Sequence, residues 1–235
     1  MKLTLSAGLM AIILLAACGG GGEAPSTEPL PSLSAEEIIA QASPRLDELD
    51  SFHFKLSEEG GGTPIAMGLK MLTAEGDIIP PDRMNMRIEA EWFGQFVEAK
   101  LVTVGTITYM TNPINGKWEL LDEDFTAITL FQPDTGIKAV MESVTGLCRL
   151  DAEKTGGTLC FHLKGDIDSM VLDAIAVGHA AGGLSVDTDI WIGSQDFLLR
   201  KVVFDGRITE EEDEGIVRTL ELSRFNEPME VELPK

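Results

Sequence analysis

The chain is poor in basic residues, aromatics, cysteine and histidine. It carries 18 lysines and arginines against 39 aspartates and glutamates, one tyrosine, three cysteines and three histidines in 235 residues. So acidic a surface repels phosphate backbones, which excludes nucleic acid as a partner. It also excludes attachment to anionic head groups through a basic patch, and the charge serves mainly solubility. His53, His162 and His179 are far apart, and no Cys or His pair has zinc-site spacing, so no metal site is expected. No Gly-x-Ser-x-Gly elbow, Walker loop or dinucleotide glycine fingerprint stands between a strand and a helix. No catalytic residue and no cofactor are assigned, and the chain reads as a binding protein without enzyme activity.

Long apolar runs are missing too, except at the start. Lys2 followed by the apolar stretch Leu3 to Ala17 has the layout of a bacterial signal peptide, residues 1–17. It is shorter than the roughly 20 residues a transmembrane helix needs and gives way to Gly19-Gly20-Gly21-Gly22. Leu15-Ala16-Ala17-Cys18 looks like a lipobox, in which a small pair precedes a thiol that accepts a diacylglyceryl group. Cys18 is therefore the expected lipidation site (palmitate being one expected acyl chain), placing the mature chain on the extracytoplasmic face of the cell membrane. Residues 18–33, rich in Gly, Pro, Ser, Thr and Glu, read as a flexible tether. Residues 34–235, about 200 in number, suffice for one core, with no second linker or repeat dividing them.

With Cys18 set aside, Cys148 and Cys160 remain. They flank a segment that reads as two strands joined around Lys154 to Gly157. If the hairpin turns at its middle the thiols face each other. A disulfide bond is then expected in an oxidising compartment, stabilising by about 3 kcal/mol, with two free thiols as the alternative.

Ser34 with Glu37 forms a capping box that predicts a helix over 35–49, its apolar face Ile38, Ile39, Ala42, Leu46 and Leu49, with Pro44 placed to kink it. Alternation then takes over: Phe52, Phe54 and Leu56 against His53 and Lys55, and Met84, Met86, Ile88, Ala90 and Trp92 against polar neighbours. Similar runs cover 96–110, 117–121, 184–192, 197–204 and 216–225. Helical segments are expected over 137–144 and, on a Met170, Val171, Ala174, Val177 stripe, over 168–177. This is an α+β fold on a largely antiparallel sheet. Asp187 and Asp189 share one strand face, read either as solvent-facing alternation or as a carboxylate or calcium pair. The run Glu210 to Glu214 is read as a solvated hairpin tip, with weak calcium binding as the sharper alternative.

Ser51-Phe52-His53-Phe54, Pro81-Asp82-Arg83, Thr108-Tyr109-Met110 with Gly116-Lys117-Trp118, Phe131-Gln132-Pro133-Asp134-Thr135-Gly136, and Asp189-Ile190-Trp191-Ile192 followed by Leu199-Arg200 occur in this order behind the lipobox. The series resembles the mycobacterial LppX/LprA/LprF/LprG lipoproteins over nearly the whole mature domain. The resemblance implies a half-barrel of curved antiparallel sheet with helices packed on its concave face around an apolar cavity, similar to the LolA/LolB carriers. It further implies binding of acyl chains of a lipid or glycolipid, with an envelope transporter as a partner in lipid transport. The cysteine pair is not matched by the residues that carry the resemblance. Residues expected to line such a cavity are Met84, Met86, Ile88, Leu101 and Met110 from strands, with Ile137, Val140, Met141, Val171 and Ile175 from the helical inserts. Flexible methionines suit adaptable apolar sites, and equally suit ordinary core filling. The competing readings are a scaffolding lipoprotein with no lipid ligand, and a hydrolase.

Overall fold

The computed structural model describes residues 30–65, 68–121, 128, 131–132, 136–176 and 179–234. Cys18, the signal peptide and most of the tether lie outside the described residues, and Ser32–Lys235 forms one compact unit.

Helix α1 (Ala35–Asp47) starts at the capping box. The Glu37 amide donates to Ser34 Oγ at 3.1 Å and the Ser34 amide donates to Glu37 Oε2 at 2.8 Å. Satisfying these otherwise orphaned donors contributes about 1 kcal/mol. Ala35, Ile38, Ile39, Ala42 and Ser43 form the buried face, and the helix continues through Pro44.

Alternating residues then build β1 (Phe52–Glu59), β2 (Thr63–Pro64), β3 (Lys70–Ile79), β4 (Arg83–Trp92), β5 (Gln95–Val104), β6 (Ile107–Thr111) and β7 (Trp118–Leu120). The chain crosses by α2 (Ile137–Ser143) to the far edge of the sheet. It returns through β8 (Thr145–Arg149), β9 (Glu153–Thr155), β10 (Thr158–Asp168), β11 (Ser185–Gly193), β12 (Leu199–Asp205) and β13 (Val217–Ser223). The order is β7-β6-β5-β4-β3-β1-β13-β12-β11-β10-β8, with β2 on β3 and β9 on β10, and every described pairing is antiparallel. The result is a long, open, curved sheet with two helices. The first and last strands meet at its centre, so one wing is a meander outward and the other a meander back. Among the described residues no helix is long and apolar enough to cross a membrane.

Directly opposed residues of antiparallel strands share a face, so the register defines the inward surface. One row runs Met110, Leu101, Met86, Gly76, Phe54, Leu222. Another runs Ala99, Ile88, Ala74, Leu56, Leu220, Val202, Ile190, Leu163. All of these are buried. Phe131, from the crossing segment, packs its ring on Phe52 and Phe54 at centroid distances of 5.4 and 5.0 Å. Gly76 is required by close approach: a Cβ there would lie 1.9 Å from the Asn85 carbonyl oxygen and 2.6 Å from Met86 Cα. Gly76→Ala is therefore expected to force β3 and β4 apart and cost about 3 kcal/mol, the upper end of the overpacking range. Urea denaturation measures it.

Three expectations need correction. Cys148 and Cys160 are free thiols, the first exposed and the second buried. The turn falls at Gly156-Gly157, so Cys160 opposes Glu153 while Cys148 opposes Lys164. Four residues along a strand is about 13 Å, beyond the roughly 7 Å a disulfide bridges. Second, the segment after β10 is no α-helix but a 3-10 turn, Ser169–Leu172, followed by further turns. With three residues per turn, Ser169, Leu172 and Ile175 face inward and Met170 is exposed, which displaces the expected stripe. Third, 96–110 is two strands broken at the Gly105-Thr106 turn, where Gly105 has φ 62°.

Candidate functional site

The strand residues expected to line a cavity form one patch on the β4 to β6 wing. Met86 opposes Leu101, which opposes Met110, with Met84 and Ile88 flanking Met86 on the same face. Ile137, Val140 and Met141 are the buried side of α2, which packs against α1 and the 3-10 turn. Ile175 is buried beyond that turn and Val171 is half-buried. The structure thus gathers these ten residues into two apolar groups, one on the sheet and one on the elements next to it.

A groove of about 520 Å³ lies between α1, α2 and β8. Ile39, Ala40, Pro44, Val144 and Leu147 supply its apolar wall, Glu36, Lys138 and Glu142 supply polar groups, and Ser43 lines it with its hydroxyl out of solvent reach. Lys138 is ion-paired with Asp47 across the two helices. Ser43 Oγ is buried and has no hydrogen-bond partner among the described residues, although helical Ser commonly bonds back to a carbonyl one turn earlier. None of the ten expected residues lines this groove. Sequence reasoning had placed Ile39 on the apolar face of α1 without seeing that α2 and β8 leave part of that helix uncovered.

At the end of the inward face where β1 finishes and β13 begins, charge replaces apolar side chains. Arg218 continues the inward parity of Leu220 and Leu222, and Glu58 that of Phe54 and Leu56. They oppose each other across the sheet centre with both side chains sealed from solvent. Arg218 Nη2 donates to Glu212, and its Nε lies 3.8 Å from Glu58 Oε2 without a hydrogen bond. Thr63 Oγ1 donates to Glu58 Oε1 at 2.6 Å. Burial pushes the Glu58 carboxyl above the usual carboxylate range, against the lowering effects of the Thr63 bond and Arg218. Glu212 also accepts from the Ile208 amide at 2.7 Å. The acidic run read as a solvated hairpin tip therefore sends one carboxylate inward, as the lid of a buried ion cluster.

On the outer face of the other wing, His162 stacks on Trp191 at 4.3 Å and Lys201 Nζ sits 4.4 Å from the same ring. His162 Nε2 is 2.6 Å from Asp189, and Lys164 pairs with Asp187 and Asp189 at 3.3 and 3.7 Å. Asp189 is thus engaged by His162 and Lys164. Among the described residues no group of three or more His, Cys, Asp or Glu is placed to hold a metal ion.

The LppX_LprAFG lipoprotein family model matches residues 34–231, from the capping box to the segment beyond β13. The chain belongs to that family. LprF from Mycobacterium bovis superposes with a TM-score of 0.67 at 17% identity, over 85% of this chain and 96% of its own. LppX from Mycobacterium tuberculosis gives 0.59 at 16% identity, over 83% and 98%. At such identities these likenesses bear on the fold, which this LppX_LprAFG member shares with both. A LolA superfamily protein from Nitrosomonas europaea covers 86% of this chain and 96% of its own at 13% identity, but its TM-score of 0.29 is too low to bear on the fold. No curated protein matches the sequence.

Proposed function

We propose that this LppX_LprAFG member is a cell-envelope lipoprotein that binds the acyl chains of a lipid or glycolipid and carries or presents them in envelope lipid transport. Acylation at Cys18 after removal of residues 1–17 anchors it to the extracytoplasmic face of the cell membrane, with 18–33 as tether and 34–235 as the lipid-binding domain. The observation that carries the reading is the largely apolar groove between α1, α2 and β8, together with an inward sheet face apolar over most of its area. Acyl chains need no directional partners there, because burial alone contributes about 0.8 kcal/mol per methylene. The polar rim of the groove suits the head-group end of such a molecule, with chains directed toward Ile137, Val140, Met141, Val171 and Ile175 and on to Met84, Met86, Ile88, Leu101 and Met110. The partner class that fits is an envelope transporter supplying or receiving the lipid.

Native mass spectrometry of the mature protein tests this. A stoichiometric lipid adduct is expected, released by apolar extraction and exchangeable for a fluorescent long-chain acyl probe. Protein that releases no lipid and binds no probe would be a scaffold whose core its own side chains fill.

A further inference from the structure

The three most exposed large apolar side chains among the described residues are Phe93 at 89%, Phe96 at 84% and Ile114 at 74%. The register puts all three at one end of the sheet. Phe93 and Gly94 form the two-residue loop closing the β4–β5 hairpin at Trp92 and Gln95, and Phe96 opposes Glu91 just behind it. Ile114 sits in the turn between β6 and β7, and β6 runs beside β5 to the same end. The first tip is thinly supported: the β3–β4 ladder stops at Glu91, and β5 is joined by β6 only from Leu101 on.

Phe93 is unfavourable there in water on two counts. Its φ of 47° and that of Gly94 at 76° make a loop with both residues in the left-handed region, where Asn, Asp or Gly is preferred over a bulky side chain. Its ring is also almost wholly hydrated, lying against Trp92 at a centroid distance of 4.9 Å. An exposed apolar patch of this kind marks a surface that is covered in use.

The geometry points to a lipid bilayer as the covering phase: the Trp92 to Phe96 tip, with Ile114 beside it, is a second membrane contact that dips into the interfacial layer of the membrane holding the lipid anchor. Three observations select a membrane. The family is one of lipoproteins. With Cys18 acylated, the 16 residues from Cys18 to Leu33 reach at most about 55 Å when extended, more than the roughly 33 Å length of a ten-residue strand, so either end of the sheet can be brought to the bilayer. The projecting side chains are aromatic and aliphatic, the residue types that sit in the interface, and Trp92 stands directly behind them. Because the chain has a net charge of −21, the contact is apolar and needs no anionic lipid. The inference rests on the proposed acylation of Cys18 but not on lipid carriage, and stands whether or not a lipid fills the groove.

The experiment uses the acylated protein in phosphatidylcholine vesicles whose acyl chains are brominated near the head group. Tryptophan emission reports depth, and co-flotation reports anchorage separately. Wild type is expected to show blue-shifted, bromine-quenched emission that persists in high salt. Phe93→Asn/Phe96→Thr is expected to lose most of that quenching while floating as before, and to unfold at an equal or higher temperature, since Asn suits the loop better. Unquenched wild-type emission overturns the proposal. So does equal quenching in the double variant, quenching that requires anionic lipid, or sedimentation showing that the wild type in detergent self-associates through the tip and the variant does not. Native mass spectrometry on the same samples reads the lipid cargo, so failure of the tip and failure of lipid carriage are told apart.

Discussion

Arg218→Met is expected to destabilise the domain by about 3–5 kcal/mol, because it leaves the buried carboxylates of Glu58 and Glu212 without their cation. The deficit depends on pH, and its sign follows from the raised Glu58 pKa. Between the ordinary carboxylate value and the raised folded-state value, the native state binds more protons than the unfolded state, so this group's stabilising contribution is present at low pH and is lost as pH rises through the folded pKa. Removing the guanidinium raises that pKa further. Denaturant midpoints over a pH series should therefore show the gap between Arg218→Met and wild type widest near neutrality and narrowing under acid as Glu58 takes a proton. Arg218→Met/Glu58→Gln should recover part of the neutral-pH loss, since the amide keeps the Thr63 contact without a charge to bury. A neutral Arg218→Met variant at pH 7 would mean that the cluster opens to water and that Glu212 is no lid.

Much of this fold was legible because local signals and long-range packing agree. The capping box at Ser34 starts α1 where it should, and Met84 to Trp92 alternates without interruption because β4 keeps one face inward along its length. Strand β3 was missed. Met71 and Ala74 both face inward although three residues apart, since the ladder slips between Met71 and Thr73, and Ala74 and Gly76 are too small to advertise a buried face. The ion cluster was half visible: Glu58 and Arg218 are in phase with apolar neighbours on their own strands. What no local pattern reveals is that the first and last strands lie side by side, which makes the two charges partners. The groove was invisible for the same reason, because it is a gap between three elements whose mutual placement, and not any motif, leaves Ile39, Val144 and Leu147 around a space.

That space supplies the last prediction, in which stability and binding separate. Ala40 is on the exposed side of α1 and lines the groove, so Ala40→Trp adds bulk without crowding a filled core. Its expected effect is a loss of acyl-probe affinity of tenfold or more, about 1.4 kcal/mol, with a melting temperature close to wild type. Ser43→Ala separates the two quantities further. Its hydroxyl is buried without a partner, at a cost on the order of 1–3 kcal/mol in the empty protein, so removing it should stabilise the free domain. If α1 shifts on binding so that the polar end of the ligand reaches that hydroxyl, the same change should weaken binding, a pairing of signs that ordinary core packing does not produce. Deeper in, Val140→Trp completes the series: added bulk in a ligand cavity displaces the probe at little cost in stability, whereas in a filled core it costs about 1–3 kcal/mol and leaves the probe alone. Ala40→Trp and Val140→Trp are both expected to weaken probe binding by tenfold or more. Should both variants lose stability with the affinity unchanged, acyl chains enter elsewhere and the groove is only a seam between packed elements.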